Sequence, residues 1–192
     1  MPLRVTQGIA IEPPSKAKAA AVAAAIGGPM GPVMLNVPWI QQEQTEWCWA
    51  ACSQMVATFL GNPDVKQCEL ANFLHEQTKC CDKPGSNACN QPCPYEGIGQ
   101  VYGHLNVNCI SQEGRVNGQV LLREFNANRP VEIGFLWYGG GGHVVILHGV
   151  TIGGLIAVND PWNGTGLVTY IYLAAAYGQG YWAYSFGDFR NL

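Results

Sequence analysis

Charge is scarce in this chain of 192 residues: Asp, Glu, Lys and Arg make up 12% of it, with 10 basic against 13 acidic residues and a net charge of -3. Nothing in that balance builds a basic stripe, so neither nucleic acid nor an anionic membrane is expected as a partner. No apolar run reaches the length of about 18 residues that a bilayer-spanning helix needs. The first 35 residues contain no aromatic side chain and so have little to bury. The chain also lacks any Cys-x-x-Cys pair, and the spacings Cys80-Cys81, Cys89 and Cys93 do not suit a zinc site. His75 and His104, the nitrogen donors nearest those cysteines in sequence, are therefore read as surface or satisfied side chains. What is plentiful is apolar residues, at 48%, enough for the core of one compact domain, and eight cysteines. That many cysteines, clustered, favour an oxidising compartment and hence a secreted or otherwise exported protein.

The stretch Gln42-Glu43-Gln44-Thr45-Glu46-Trp47-Cys48-Trp49-Ala50-Ala51-Cys52 organises the rest. Ala, Met, Val, Phe and Leu recur from Trp47 to Leu60, and Gly61 follows as a stop signal, which predicts a largely apolar helix with Cys48 in its first turn. Unsatisfied backbone N–H groups and the positive end of the helix dipole favour a thiolate in such a place. Six residues upstream, Gln42 can offer its amide to an oxyanion. Cys52 lies one helical turn further on, where the dipole effect fades, and reads as a buried thiol. Trp47 and Trp49 are expected to pack as a cleft wall, and Glu46 is a candidate cap for the helix N-terminus.

Gln42 followed by Cys48-Trp49 resembles the Gln and Cys-Trp of papain-like cysteine peptidases. Trp47-Cys48-Trp49-Ala50-Ala51-Cys52 is closer to the bacterial branch that includes avirulence-type effector proteases of plant pathogens, itself related to the double-glycine peptidases that process bacteriocin leaders. The resemblance spans residues 36 to 186. It implies an α+β papain-like fold, a helical half carrying the nucleophile packed on an antiparallel, barrel-like sheet half, with a His and then an Asp or Asn downstream on strands.

Both follow. Gly139-Gly140-Gly141-Gly142-His143-Val144-Val145-Ile146 puts His143 at the start of a strand, after glycines that let a substrate backbone come close. His148, at an odd offset, is expected on the other face. Gly-His before an aliphatic run resembles the base motif of the family, so His143 is the candidate base. A strand ending at Asp160, before Pro161, can place a carboxylate behind the imidazole and accept its Nδ1 proton. Asn159 is the alternative, and neighbouring strand residues cannot both serve.

Elsewhere, Asn62-Pro63 predicts the start of a second helix through Leu74, and Asn117 caps a third that carries Val120, Leu121, Leu122 and Phe125. Strands are expected over 131–138, 144–150, 155–158, 167–173 and 181–186. Between them, 78–99 reads as a cysteine-rich insertion. Setting aside Cys48 and Cys52 leaves Cys68, Cys80, Cys81, Cys89, Cys93 and Cys109, which can form three disulfides in fifteen ways.

Residues 1–35 read as a leader or pro-segment and 36–192 as the peptidase domain. Lys16 and Lys18 sit too late for a good signal peptide. Peptidases of the resembled kind can cut at Gly-Gly, and some remove their own N-terminus, which makes Gly27-Gly28 or a bond a few residues away a candidate for self-removal. The resemblance implies hydrolysis of a peptide bond through a Cys48 thioester. The expected enzyme is a monomer that needs no metal or organic cofactor and acts on a protein or peptide. Acyl transfer or deamidation at the same site, and a catalytically idle binding module, stand as alternatives.

Overall fold

The computed structural model describes residues 32–192. Gly27-Gly28 and the rest of the leader before residue 32 lie outside the described residues.

Helix α1, Cys48–Phe59, forms where the periodicity predicts. Trp49, Ala50, Ala51, Cys52, Met55, Val56 and Ala57 are all buried, so the helix is apolar nearly all round and runs through the core rather than over it. Ser53, also buried, returns its hydroxyl to the Trp49 carbonyl at 2.9 Å. Gly61, at φ 97°, ends the helix in the left-handed conformation that glycine tolerates.

Helix α2, Gln67–Leu74, begins later than Asn62-Pro63 suggests, because residues 62–66 turn before the helix starts. Helix α3, Tyr95–His104, cuts into the expected insertion. Three glycines hide it from propensity, each weaker than Ala by about 1 kcal/mol in a helix. Packing requires at least one of them: a Cβ on Gly97 would sit 2.8 Å from the Cys93 sulfur. Helix α4, Gly118–Asn126, has the expected cap, the Asn117 side chain accepting from the Val120 N–H.

The strands are β1 Val33–Met34, β2 Val107–Glu113, β3 Val131–Trp137, β4 Gly142–Val150, β5 Ile156–Asp160, β6 Gly164–Val168 and β7 Gly180–Asn191. Residues 33–35, counted above with the leader, already belong to the sheet, since β1 pairs with β4 and Leu35 N–H bonds the His148 carbonyl. The expected strand over 167–173 divides at Thr169, whose hydroxyl accepts from Tyr172 N–H and caps the short helix α5, Tyr170–Ala174.

All neighbours in the sheet are antiparallel, in the order β2-β7-β3-β4-β5-β6. The sheet is open at β2 and β6 rather than closed into a barrel. Along β4, β3 pairs with residues 142–147 and β1 takes over at Gly149 and Val150. Helix α1 packs on β4, α3 on β2, and α4 on β1 and β4, which gives an α+β fold with helices laid against an antiparallel sheet.

Candidate active site

Helix α1 starts at Cys48 itself, behind Trp47 as its cap residue. No side chain caps this end and no acidic residue stands in the first turn, so Glu46 does not take the capping role suggested above. Its backbone N–H is instead tied to Asn90 Oδ1 at 3.0 Å. Cys48 is half-buried, whereas Cys52 is fully buried, its Sγ 3.4 Å from the Val144 carbonyl and its thiol pushed well up by burial.

His143 comes to Cys48 from β4. Its side chain is 12% exposed, and the Cys48 side chain helps to raise its pKa. On the other side, Nε2 meets Asp160 Oδ1 at 2.8 Å. The ring therefore presents Nε2 to the carboxylate, not Nδ1 as the sequence reading has it, and Nδ1 is left for the thiol. The glycine run before it has a local purpose: Gly140 and Gly141 take left-handed φ in the β3–β4 turn, and a Cβ on Gly142 would sit 2.6 Å from the Phe135 carbonyl oxygen.

Asp160 closes β5, and the turn after it supplies donors. Oδ1 also accepts from the N–H groups of Trp162 (2.9 Å) and Asn163 (3.0 Å), and Oδ2 from Asn163 Nδ2 (3.0 Å). Burial opposes the charge of each partner, but the opposed charges and these hydrogen bonds outweigh it. His143 is held up at about 10 and Asp160 down at about 2. Asn159 turns away and donates to the Val37 carbonyl at 3.0 Å. His148 Nδ1 donates to the Leu35 carbonyl, 3.1 Å away, and burial lowers its pKa.

The segment before α1 is stitched to the same strand end. Trp39 Nε1 donates to the Asp160 carbonyl at 2.8 Å, and Gln42 N–H to the Pro161 carbonyl at 3.1 Å. The Gln42 amide donates to the carbonyls of Gln44 (2.8 Å) and Thr45 (3.0 Å), while its Oε1 is buried without a hydrogen bond. A residue that sequence reasoning passed over holds this loop in place. Gln67, fully buried in α2, accepts from Glu43 N–H and donates to the Gln41 carbonyl and to Gln54 Oε1. A lone Gln in an amphipathic helix gives no signal for such a role.

Trp47 and Trp49 are buried, not a cleft wall. Their indole N–H groups donate to the carbonyls of Cys89 (2.8 Å) and Gln91 (3.2 Å), fastening the cysteine-rich segment to the start of α1. Two disulfides staple that segment, Cys68–Cys81 to α2 and Cys80–Cys89 within it. A third does not form: Cys93 packs against Gly97 of α3, and Cys109 sits on the edge strand β2, both as thiols. His75 packs edge-on against Trp49 and His104 stacks on Phe73. Among the described residues, no three His, Cys, Asp or Glu side chains gather as metal ligands, and no helix is long and apolar enough to cross a membrane.

A helix with a cysteine at its start, packed on an antiparallel sheet that brings a histidine and a carboxylate to it, defines the class: this is a papain-like cysteine peptidase. More narrowly, the chain belongs to the Peptidase_C39 like family, whose model matches residues 34–187. Among solved structures it is similar to the peptidase domain of Streptococcus ComA, a bi-functional ABC transporter involved in a quorum sensing pathway. The TM-score is 0.59 and the identity 14%, over 82% of this chain and 100% of that one. The double glycine motif protease of an AMS/PCAT transporter, solved in complex with the leader peptide, gives a TM-score of 0.49 at 17% identity over 85% and 99%. Active wild-type Prevotella intermedia interpain A cysteine protease gives 0.49 at 14% identity over 93% and 98%. No curated protein sequence matches the chain.

Proposed function

We propose that the protein hydrolyses peptide bonds of protein or peptide substrates through a thioester on Cys48. The observation that carries this reading is His143 hydrogen-bonded to Asp160 Oδ1 at 2.8 Å, with the Cys48 side chain at the start of α1 acting on the same ring. In this mechanism His143, cationic between its two partners, leaves Cys48 as the attacking sulfur. The sulfur adds to the scissile carbonyl, and the imidazolium protonates the leaving amine. Neutral His143 then takes a proton from water, which hydrolyses the thioester and restores the pair. Asp160 holds the ring so that Nδ1 faces the sulfur throughout. The Cys48 N–H and Gln42 serve the oxyanion, and for this Gln42 must release one amide hydrogen from the Gln44 or Thr45 carbonyl. Two disulfides beside the site suit an oxidising compartment, where an exported peptidase would work.

The test is labelling with the epoxide inhibitor of papain-like enzymes. Modification at Cys48 that is lost in His143→Ala supports the pair, and an unlabelled wild type overturns it.

Self-removal of the leader near Gly27-Gly28, if it occurs, takes place between molecules. Val33 pairs with Val150, seven positions along β4 from His143, or about 23 Å at the rise of a strand. The five residues from Gly28 to Val33 span about 18 Å at most. Strand β1 also runs toward the site as it leaves Val33. A Cys48→Ala chain mixed with wild type should be trimmed at a rate that rises with wild-type concentration, as intact-mass spectrometry would read. Trimming of the wild type at a rate independent of dilution would overturn this geometry.

A further inference from the structure

The two flanks of helix α4 differ. Leu121, Leu122 and Phe125 are buried against Val150 and Ile156, with only about 10 Å³ of space between them. On the other flank, between α4 and the strands β2, β7 and β3, a groove of about 290 Å³ stays open. Its floor is apolar, formed by Ile110, Val116, Val120 and Val131. Ile110, on the edge strand β2, is 62% exposed there, so apolar surface faces water where the other flank has none.

The rim of the groove is charged. Three guanidinium groups, of Arg123, Arg129 and Arg190, stand against two carboxylates, of Glu124 and Asp188. Arg129 is tied to both acids, at 2.8 and 2.9 Å, and Arg190 to Asp188 at 2.6 Å. Arg123 is 70% exposed and reaches Glu124 through Nε alone, at 3.4 Å. The rim therefore carries one positive charge more than its acids balance, and the Arg123 fork keeps nitrogens to offer a further carboxylate.

The described chain begins close to this groove. Val33 pairs with Val150 and Val131 with Leu147, while β5 occupies the opposite edge of β4 at both positions. Three residues of strand, about 10 Å, thus separate Val33 from Val131 in the groove floor. The leader has the length to return: the 21 residues from Glu12 to Val33 can span about 70 Å. Glu12 is the single acidic residue among residues 1–31, and Ile9 and Ile11 stand just before it. In an extended segment, side chains two residues apart fall on one side, a spacing that suits an apolar floor.

We propose that this groove docks the chain's own leader, with Ile9 and Ile11 on the apolar floor and the Glu12 carboxylate on Arg123. The proposal does not depend on the reading of Cys48. Val131 lies four residues before Phe135, the cross-strand partner of His143, so the docking floor stands about 13 Å along β3 from the histidine.

The test uses the full chain with Cys48→Ala, so that no trimming removes the leader, and with the photo-cross-linker benzoylphenylalanine in place of Ala10. Mass spectrometry after irradiation maps the residues joined. Cross-links within one chain to Ile110, Val120 or Arg123 and their neighbours are expected, at a yield independent of protein concentration. Ile9→Asp together with Ile11→Asp changes nothing in the described domain and should cut that yield by about tenfold or more. Glu12→Arg should lower it by about two- to fivefold, the range of an exposed ion pair. Adding Arg123→Glu to Glu12→Arg should restore it. Cross-links that join two chains would assign the groove to a second copy, and cross-links elsewhere, or none, would place the leader outside it. Each of these results overturns the proposal, as does a yield that the two aspartates leave unchanged.

Discussion

Two buried carboxyl groups flank β4, Glu132 on β3 and Asp160 on β5, and their environments drive them in opposite directions. Asp160 is 4% exposed and accepts from His143, two backbone N–H groups and the Asn163 amide. It is held down at about 2. Glu132 is completely buried, accepts a single hydrogen bond from the Tyr102 hydroxyl at 2.6 Å, and leaves Oε1 without a partner. Burial pushes it up to about 8, so near neutral pH it is mostly an uncharged acid. Equal depth therefore gives opposite charge states, and the number of donors decides between them. A buried carboxyl is not in itself a catalytic signature. One that is supplied with donors and a histidine is held as an anion beside that ring.

The contrast is open to experiment. The largest effect is expected from Asp160→Asn, which removes the charge that keeps His143 cationic. The Cys48 labelling rate should fall by about 10²–10⁴-fold, while Glu132→Gln should stay within about twofold of wild type, because its proton plays no part in the reaction.

Stability should reverse the ranking. A carboxyl raised from 4.5 to about 8 holds a proton in the native state that the unfolded chain releases. Between those values native stability falls as pH rises, by up to about 1.4 kcal/mol per unit from this group. Urea unfolding at pH 5 and pH 9 should show that loss in wild type and not in Glu132→Gln. Equal slopes in the two proteins would mean that Glu132 is charged.

The His143–Asp160 pair has its own window. His143 is raised above its unfolded value of 6.5 and Asp160 depressed below 3.8, so their stabilisation is complete between those two values. It fades as pH rises toward about 10 and as pH falls toward about 2. Labelling of Cys48 should accordingly keep an alkaline limb near 10 in wild type, and a limb near the ordinary histidine value would show that Asp160 does not hold the ring. The smallest effect is expected from Asn163→Ala, which deletes one donor to Oδ2 but keeps the backbone N–H on Oδ1. A fall in labelling rate of about two- to fivefold is the outcome that one peripheral hydrogen bond supports.

What the sequence made legible was local. The apolar period after Cys48, the aliphatic run after His143 and the Asn117 cap are patterns over a few residues, and each element forms close to where its pattern lies. Cys48, His143 and Asp160 could be located because each stands at the end of such an element. What was hidden depends on contacts between distant residues. In helix α3, Gly97 is required because Cys93 crowds it. Strand β2 lacks alternation because it is a mostly exposed edge. The ring face offered to Asp160, the pairing of only four of the six candidate disulfide cysteines, and the role of Gln67 all depend on what folding brings alongside. No spacing rule reports those.

The cysteine-rich segment bears on the molecule's survival among its own kind. A peptidase shares its solution with other copies, and a long surface segment with little regular structure is what a cleft accepts most readily, because it can be drawn out as an extended strand. In this chain that segment is crossed by two covalent bridges and held at two carbonyls by indoles at the start of α1. It cannot be straightened without breaking sulfur–sulfur bonds. The bridges thereby keep the segment from the extended form that a peptidase cleft takes, and their reduction would free it to adopt that form.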